Sequence, residues 1–143
     1  PWRGEKFEAL PVGRGRRLRE GDDVALVSVG TVGNAAARAA ERAAAEGVDA
    51  AHYDLRFVKP LDEALLDEVG RKFRRVVTVE DGALRGGVGE AVAAFFNDRG
   101  YDVRVHRLGI GDEWVEHGTP GQLYALCGYD EEGILRALLD TRA

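Results

Sequence analysis

The amino-acid sequence predicts an α/β domain, a largely parallel sheet with helices covering both of its faces. Three observations predict it. Short stretches of strand length, rich in apolar residues, recur at 24–29, 48–55 and 76–79. Stretches with apolar residues at helical spacing lie between them, and glycine or proline marks each change of period. Strands and helices that alternate along a chain pack as parallel strands joined by crossover helices.

Each element follows from its own residues. Val24-Ala-Leu-Val-Ser-Val29 is a short apolar run ended by Gly30, the pattern of a buried strand. Residues 34–46 place their charges at 38, 41, 42 and 46 on one helical face and alanines elsewhere. Such a helix can lie close on a sheet, and Gly47 is a natural stop for it. A second strand over 48–55 ends in His52-Tyr53-Asp54-Leu55. Pro60 then punctuates, Asp62 and Glu63 supply first-turn negative charge, and Leu61, Leu65, Leu66, Val69 and Phe73 form a stripe. Val76–Val79 is the third strand, and a glycine-rich turn leads into a helix with Val88, Ala91, Val92, Phe95 and Phe96 inward, stopped by Gly100. In the fourth strand, 103–107, Val103 and Val105 alternate with Arg104 and His106, as expected near a sheet edge. Thr119-Pro120-Gly121-Gln122 has capping-box spacing, and Asp130 caps a last helix carrying Ile134, Leu135, Leu138 and Leu139. Residues 16–20 can add an edge strand. Residues 1–15, with three glycines and two prolines among charges, read as a linker leading into a domain over 16–143.

Composition narrows the function classes. The 143 residues are 45% hydrophobic and 31% charged, with a net charge of −5. A chain of that size and make-up forms one cored domain rather than a disordered tail, and it contains no apolar run of membrane-spanning length. Mild acidity disfavours nucleic acid and anionic membrane surfaces as partners. The single cysteine, Cys127, cannot form an internal disulfide and fits a reducing, cytoplasmic setting. The chain has no methionine and opens on Pro1-Trp2-Arg3-Gly4, so it is expected to be part of a longer polypeptide.

Ligands of open α/β sheets bind beyond the carboxyl ends of the strands. Gly30–Asn34 and Gly86-Gly87-Val88-Gly89 each precede a helix, whose free N–H groups suit a phosphate. Neither matches a dinucleotide or P-loop motif, and glycines also serve tight turns; an independent nucleotide-binding domain is one hypothesis, structural turns the other. Glu80 and Asp81 are adjacent, so on extended backbone they point to opposite faces and are read as helix-dipole and loop-solvating carboxylates. Glu113, Glu116 and His117 match no structural zinc spacing. Cys127, beside Leu123 and Leu126, is read as a small core residue. No nucleophile motif is present.

Three stretches occur in a telling order: Asp54-Leu-Arg-Phe-Val-Lys-Pro-Leu-Asp62, Val77-Thr-Val-Glu-Asp81 with Gly86-Gly-Val-Gly89, and Leu108-Gly-Ile-Gly-Asp-Glu-Trp-Val-Glu-His-Gly118. Together they resemble the carboxy-terminal domain of the 1-deoxy-D-xylulose-5-phosphate synthase family, a branch of the transketolases. The Gly-Gly-x-Gly element alone is shared with beta chains of 2-oxo-acid dehydrogenases. The same domain of such a beta chain or of a transketolase is therefore the alternative, and a stand-alone interaction or ligand-sensing module the non-enzyme one.

The resemblance implies a three-layer α/β/α fold with a five-stranded, mostly parallel mixed sheet, residues 16–20 forming the antiparallel strand. It implies a parent transferase that condenses pyruvate with glyceraldehyde 3-phosphate, releasing carbon dioxide. The product, 1-deoxyxylulose 5-phosphate, feeds isoprenoid, thiamine and pyridoxal synthesis. Thiamine diphosphate and Mg²⁺ would be held by the preceding domains, with residues 1–15 as the linker from the pyrimidine-binding one, and the parent would be a homodimer. The isolated chain is then expected to be inactive. Pro1-Trp2-Arg3-Gly4 resembles a Tyr-Pro-Arg-Gly stretch that the family associates with the substrate phosphate, which matches Arg3 to that role. The 109–118 loop, with Trp114 as an anchor, is expected to meet the other domains.

Overall fold

The computed structural model describes residues 9–140. Its elements are β1 (Arg16–Arg19), β2 (Val24–Ser28), α1 (Gly33–Ala45), β3 (Ala50–Asp54), α2 (Glu63–Lys72), β4 (Arg75–Ala83), α3 (Val88–Asp98), β5 (Arg104–Ile110), α4 (Pro120–Leu126) and α5 (Glu131–Leu139). The five strands form one sheet in the order β1-β3-β2-β4-β5. All pair in parallel except β1, which runs antiparallel to β3. The mixed sheet expected from the resemblance is therefore the observed one, with residues 16–19 as its odd strand.

Two apolar clusters, one on each face, make the three layers. Because side chains alternate along a strand, Val24 and Leu26 of β2 face α1 and α5, whereas Ala25 and Val27 face α2 and α3. On the first face the four buried alanines of α1 (36, 39, 40 and 43) leave little between helix and sheet. The charged side of α1 is put to use: Arg38 and Arg42 pair with Glu131 and Glu132 at the start of α5. On the second face Phe73 and Tyr53 meet edge-on, and Phe96 stacks edge-on with Tyr101. Among the described residues, no helix is long and apolar enough to cross a membrane.

Helix ends confirm most of the punctuation. Asp62 is the N-cap of α2 rather than a first-turn residue, its Oδ1 accepting from the N–H of Leu65 at 3.1 Å. Asp130 caps α5 in the same way through Gly133, at 2.8 Å. The Thr119–Gln122 box closes with the Thr119 N–H donating to Gln122 Oε1 at 3.0 Å.

Two expectations are corrected. In α3 the inward stripe is Val88, Val92 and Phe96, while Ala91 is exposed, because the close row on a helix is i, i+4, i+8. Strand β4 extends beyond 79 to Ala83 and β5 to Ile110, since after a register shift the Leu84 N–H still reaches the Ile110 carbonyl at 2.9 Å. Helix α4, apolar in composition, buries none of its residues.

Candidate functional site

The parallel strands β2, β3, β4 and β5 end at one edge of the domain, so the segments that follow them converge there. At the end of β4 the two adjacent carboxylates part, as extended backbone requires. Glu80 turns towards α3 and is only 5% exposed. Its Oε2 accepts from the Val88 N–H at 2.7 Å and its Oε1 from the Gly89 N–H at 2.8 Å. These are the first free amides of α3, and a charged acceptor there is favoured by both hydrogen bonding and the helix dipole. The dipole reading of Glu80 holds, but the solvated-loop reading does not, because the group is buried.

The glycine-rich turn exists to admit that carboxylate. A Cβ on Gly87 would strike the Ala83 carbonyl and stand 2.6 Å from Glu80 Oε2. One on Gly89 would meet Thr78 Oγ1 at 2.5 Å. The amides a phosphate would use are thus taken by a side chain of the same domain. At α1, the 3-10 turn Gly30–Val32 runs straight into the helix, and the Gly33 N–H is bonded to the Gly30 and Thr31 carbonyls. Of the two readings of these glycines, structural turns is the one observed.

Asp81 turns the other way and is clamped by two phenols. The Tyr124 hydroxyl donates to its Oδ2 at 2.8 Å and the Tyr129 hydroxyl to its Oδ1 at 2.9 Å. Burial, with the adjoining carboxylate second, pushes the Tyr129 phenol well above its ordinary pKa, so it stays a donor. This clamp ties the α4–α5 junction to the sheet. Removing one of its bonds by Tyr129→Phe is expected to cost about 1 kcal/mol in urea unfolding. An unchanged midpoint would mean that the bond adds nothing to stability. Beside the clamp lies a cleft of about 310 Å³, lined by Ile110, Val115, Leu123, Tyr124 and Cys127, with Asp81 and Glu116 at its margin.

A second polar pair is buried within the sheet. His52 on β3 and Ser28 on β2 are each 1% exposed, and His52 Nε2 lies 2.8 Å from Ser28 Oγ. Burial pulls the imidazole pKa down to about 4, Asp54 partly opposing this and Arg16 reinforcing it. The ring is therefore neutral near pH 7. Sequence reasoning missed both this pair and the tyrosine clamp, because each joins residues from elements whose neighbours are set by strand order and not by spacing.

The remaining candidates are placed as follows. Glu113, Glu116 and His117 are exposed on the 111–119 loop, and among the described residues no three His, Cys, Asp or Glu side chains gather to hold a metal. Cys127 caps the end of α4 half-buried, packing against the margin of the core and not within it, because the helix it closes sits outside the core. Trp114 is fully exposed. Arg3 lies outside the described residues. A diphosphate at the glycine-rich turn would need unclaimed helix amides, and those of α3 are taken by Glu80.

A sequence profile described as "Transketolase, C-terminal domain" matches residues 13–134. The chain belongs to the transketolase C-terminal domain family. Among its relatives, the 1-deoxy-D-xylulose-5-phosphate synthase of Bacteroides fragilis is 54% identical over 137 residues, covering 95% of this chain and 21% of that protein. The synthase of Bacteroides thetaiotaomicron is 53% identical over 134 residues, covering 93% and 21%. That of Syntrophotalea carbinolica is 43% identical over 130 residues, covering 91% and 20%. The chain therefore spans about a fifth of the length of the relatives it matches. A solved structure titled "Split gene transketolase, inactive beta4 tetramer" superposes with a TM-score of 0.84 at 35% identity, covering 90% of this chain and 42% of that one. In this transketolase C-terminal domain, the glycine-rich turn acts as a cradle for the domain's own Glu80.

Proposed function

We propose that the chain serves as the non-catalytic third domain of a cytoplasmic, homodimeric synthase. That enzyme would condense pyruvate with glyceraldehyde 3-phosphate to 1-deoxy-D-xylulose 5-phosphate and carbon dioxide, an early step towards isoprenoids, thiamine and pyridoxal. The observation that carries this reading is the 54% identity to a protein of that name over 95% of the chain. Thiamine diphosphate and Mg²⁺ would be bound by the preceding domains, where the cofactor supplies the carbanion chemistry. The role of the present residues is to hold a rigid wall beside those domains. Residues 1–15 would be the connecting linker, with Arg3 reaching the aldose phosphate through its bidentate fork of donors.

The test is to express the complete polypeptide encoded by the gene and supply both substrates. Formation of the deoxyxylulose phosphate with release of carbon dioxide is expected, and the 143-residue chain alone should neither consume pyruvate nor bind thiamine diphosphate. Carbon dioxide release by the lone chain would overturn the reading. So would ketol transfer between sugar phosphates by the complete polypeptide, which is transketolase chemistry. In the complete enzyme, Arg3→Ala is expected to raise KM for glyceraldehyde 3-phosphate at least about tenfold, the cost of one lost charge-assisted contact, with KM for pyruvate little changed. Equal KM values in both proteins would remove Arg3 from the site.

A further inference from the structure

The amino ends of β4 and β5 carry a concentration of positive charge that neither the fold nor the carboxyl-end site uses. Four of the five residues 71–75 are basic: Arg71, Lys72, Arg74 and Arg75. The first two are engaged locally, Arg71 donating to the Tyr101 hydroxyl at 3.4 Å and Lys72 pairing with Asp22 at 2.7 Å. The other two, with Asp102 and Arg104, line an open cleft of about 370 Å³. It lies at the opposite end of β4 from Glu80 and Asp81, about 17 Å away along the strand.

The residues that line the cleft do not balance its charge. Arg75 and Arg104 are register partners on neighbouring parallel strands, so their side chains leave the sheet on one face, about 5 Å apart at Cβ. Like charges so placed repel each other. Arg75 is only partly exposed, and its Nη2 donates to the Leu138 carbonyl at the end of α5. Its Nε is buried without a partner, and among the described residues it pairs with no carboxylate. A helix C-terminus carries about half a negative charge, so that carbonyl offsets the guanidinium only in part. The one carboxylate of the lining, Asp102, is 95% exposed and stands 3.7 Å from Arg74, an exposed pair that contributes little. Three guanidiniums against one carboxylate leave the lining with two positive charges in excess.

We propose that this cleft binds the phosphate group of a small ligand. A guanidinium offers five donors in a planar fork, of which Arg75 spends one on Leu138. Such forks meet two oxygens of a phosphate at once. The excess of two charges matches a phosphate dianion, whereas a monocarboxylate would leave one charge uncompensated. The lining contains no apolar or aromatic side chain, so recognition falls on the oxyanion and the remainder of the ligand extends into solvent. The site stands whatever reaction the longer polypeptide performs.

Labelling of arginines with phenylglyoxal, read residue by residue through peptide mass spectrometry on the complete polypeptide, tests it. Sodium phosphate and sodium diphosphate are the probes, and sodium chloride at equal ionic strength controls for screening. Arg74 and Arg104 are expected to be labelled about tenfold more slowly once a probe exceeds its Kd about tenfold. Arg38, exposed on α1 and paired with Glu131, should be labelled at an unchanged rate. The tighter of the two probes tells whether the ligand carries one phosphate or two linked ones. Arg104→Gln should raise the concentration that half-protects Arg74 about tenfold, the loss of one charge-assisted contact. Because Arg104 is exposed, this variant alters the cleft without opening the core. Labelling of Arg74 and Arg104 that neither probe slows at about 10 mM would overturn the proposal. So would equal slowing by chloride, or an Arg104→Gln protein whose half-protection concentration is unaltered.

Discussion

Glu80→Gln is expected to lower the unfolding free energy by about 3 kcal/mol, the larger end of the range for hydrogen bonds to charged groups. The substitution keeps the size of the side chain and changes only which atoms can accept. In the native domain both carboxylate oxygens receive amide protons, from Val88 at 2.7 Å and Gly89 at 2.8 Å. A glutamine offers one oxygen, so its NH₂ must face the second N–H, leaving two donors opposed in a buried site. The negative charge that complements the helix N-terminus is lost as well. For a domain of this size the change corresponds to a fall in Tm of roughly 10 °C. Gly87→Ala should act on the same contact from the other side, because its methyl would meet the Ala83 carbonyl and the Glu80 carboxylate. Glu90→Gln is the control: this exposed first-turn carboxylate accepts from the Gly86 N–H at 3.2 Å and lies 3.6 Å from the Arg107 guanidinium, both at the surface. A Glu80→Gln protein within about 0.5 kcal/mol of wild type in urea unfolding would show that the turn does not depend on the carboxylate.

Below pH 6.5 the domain is expected to lose stability through His52. The folded pKa is depressed to about 4, against an ordinary value of 6.5, chiefly by burial. The unfolded chain therefore binds the proton more readily throughout that interval, and stability falls as pH drops. The contribution is complete above pH 6.5 and has declined by roughly 3 kcal/mol by pH 4. The groups around the imidazole are Ser28 on β2, Asp54 and Arg16, with Arg19 and Glu41 lining the adjoining depression. His52→Gln keeps an amide within reach of Ser28 but cannot titrate. Its unfolding free energy should therefore fall less steeply than that of wild type between pH 6.5 and 4. Parallel slopes for the two proteins would assign the acid sensitivity of the domain to its carboxylates.

The two effects differ in how far they could be foreseen. Glu80, Gly87 and Gly89 stand within ten residues of one another, and an acidic residue before a glycine-rich turn is visible in the sequence. Its burial is not visible, since that depends on α3 folding back over β4. His52 and Ser28 lie 24 residues apart on neighbouring strands, and only the order β1-β3-β2-β4-β5 brings them side by side. The Asp81 clamp is more remote still, drawing its tyrosines from 43 and 48 residues away. Cys127 illustrates the opposite error: its apolar neighbours suggest a core position, yet they belong to a helix that lies outside the core.

By itself, the sequence determined the alternation of strand and helix, the punctuation between them and the end of the sheet where chemistry would gather. Those features depend on the period of apolar residues and on backbone preferences, which act between near neighbours along the chain. The tertiary structure alone decided that the turn amides are claimed by Glu80, that Asp81 is gripped by two phenols, that His52 is held neutral, and that Trp114 and α4 stand uncovered. Each of these depends on which distant segments touch and on how much water remains between them, quantities that no local spacing encodes.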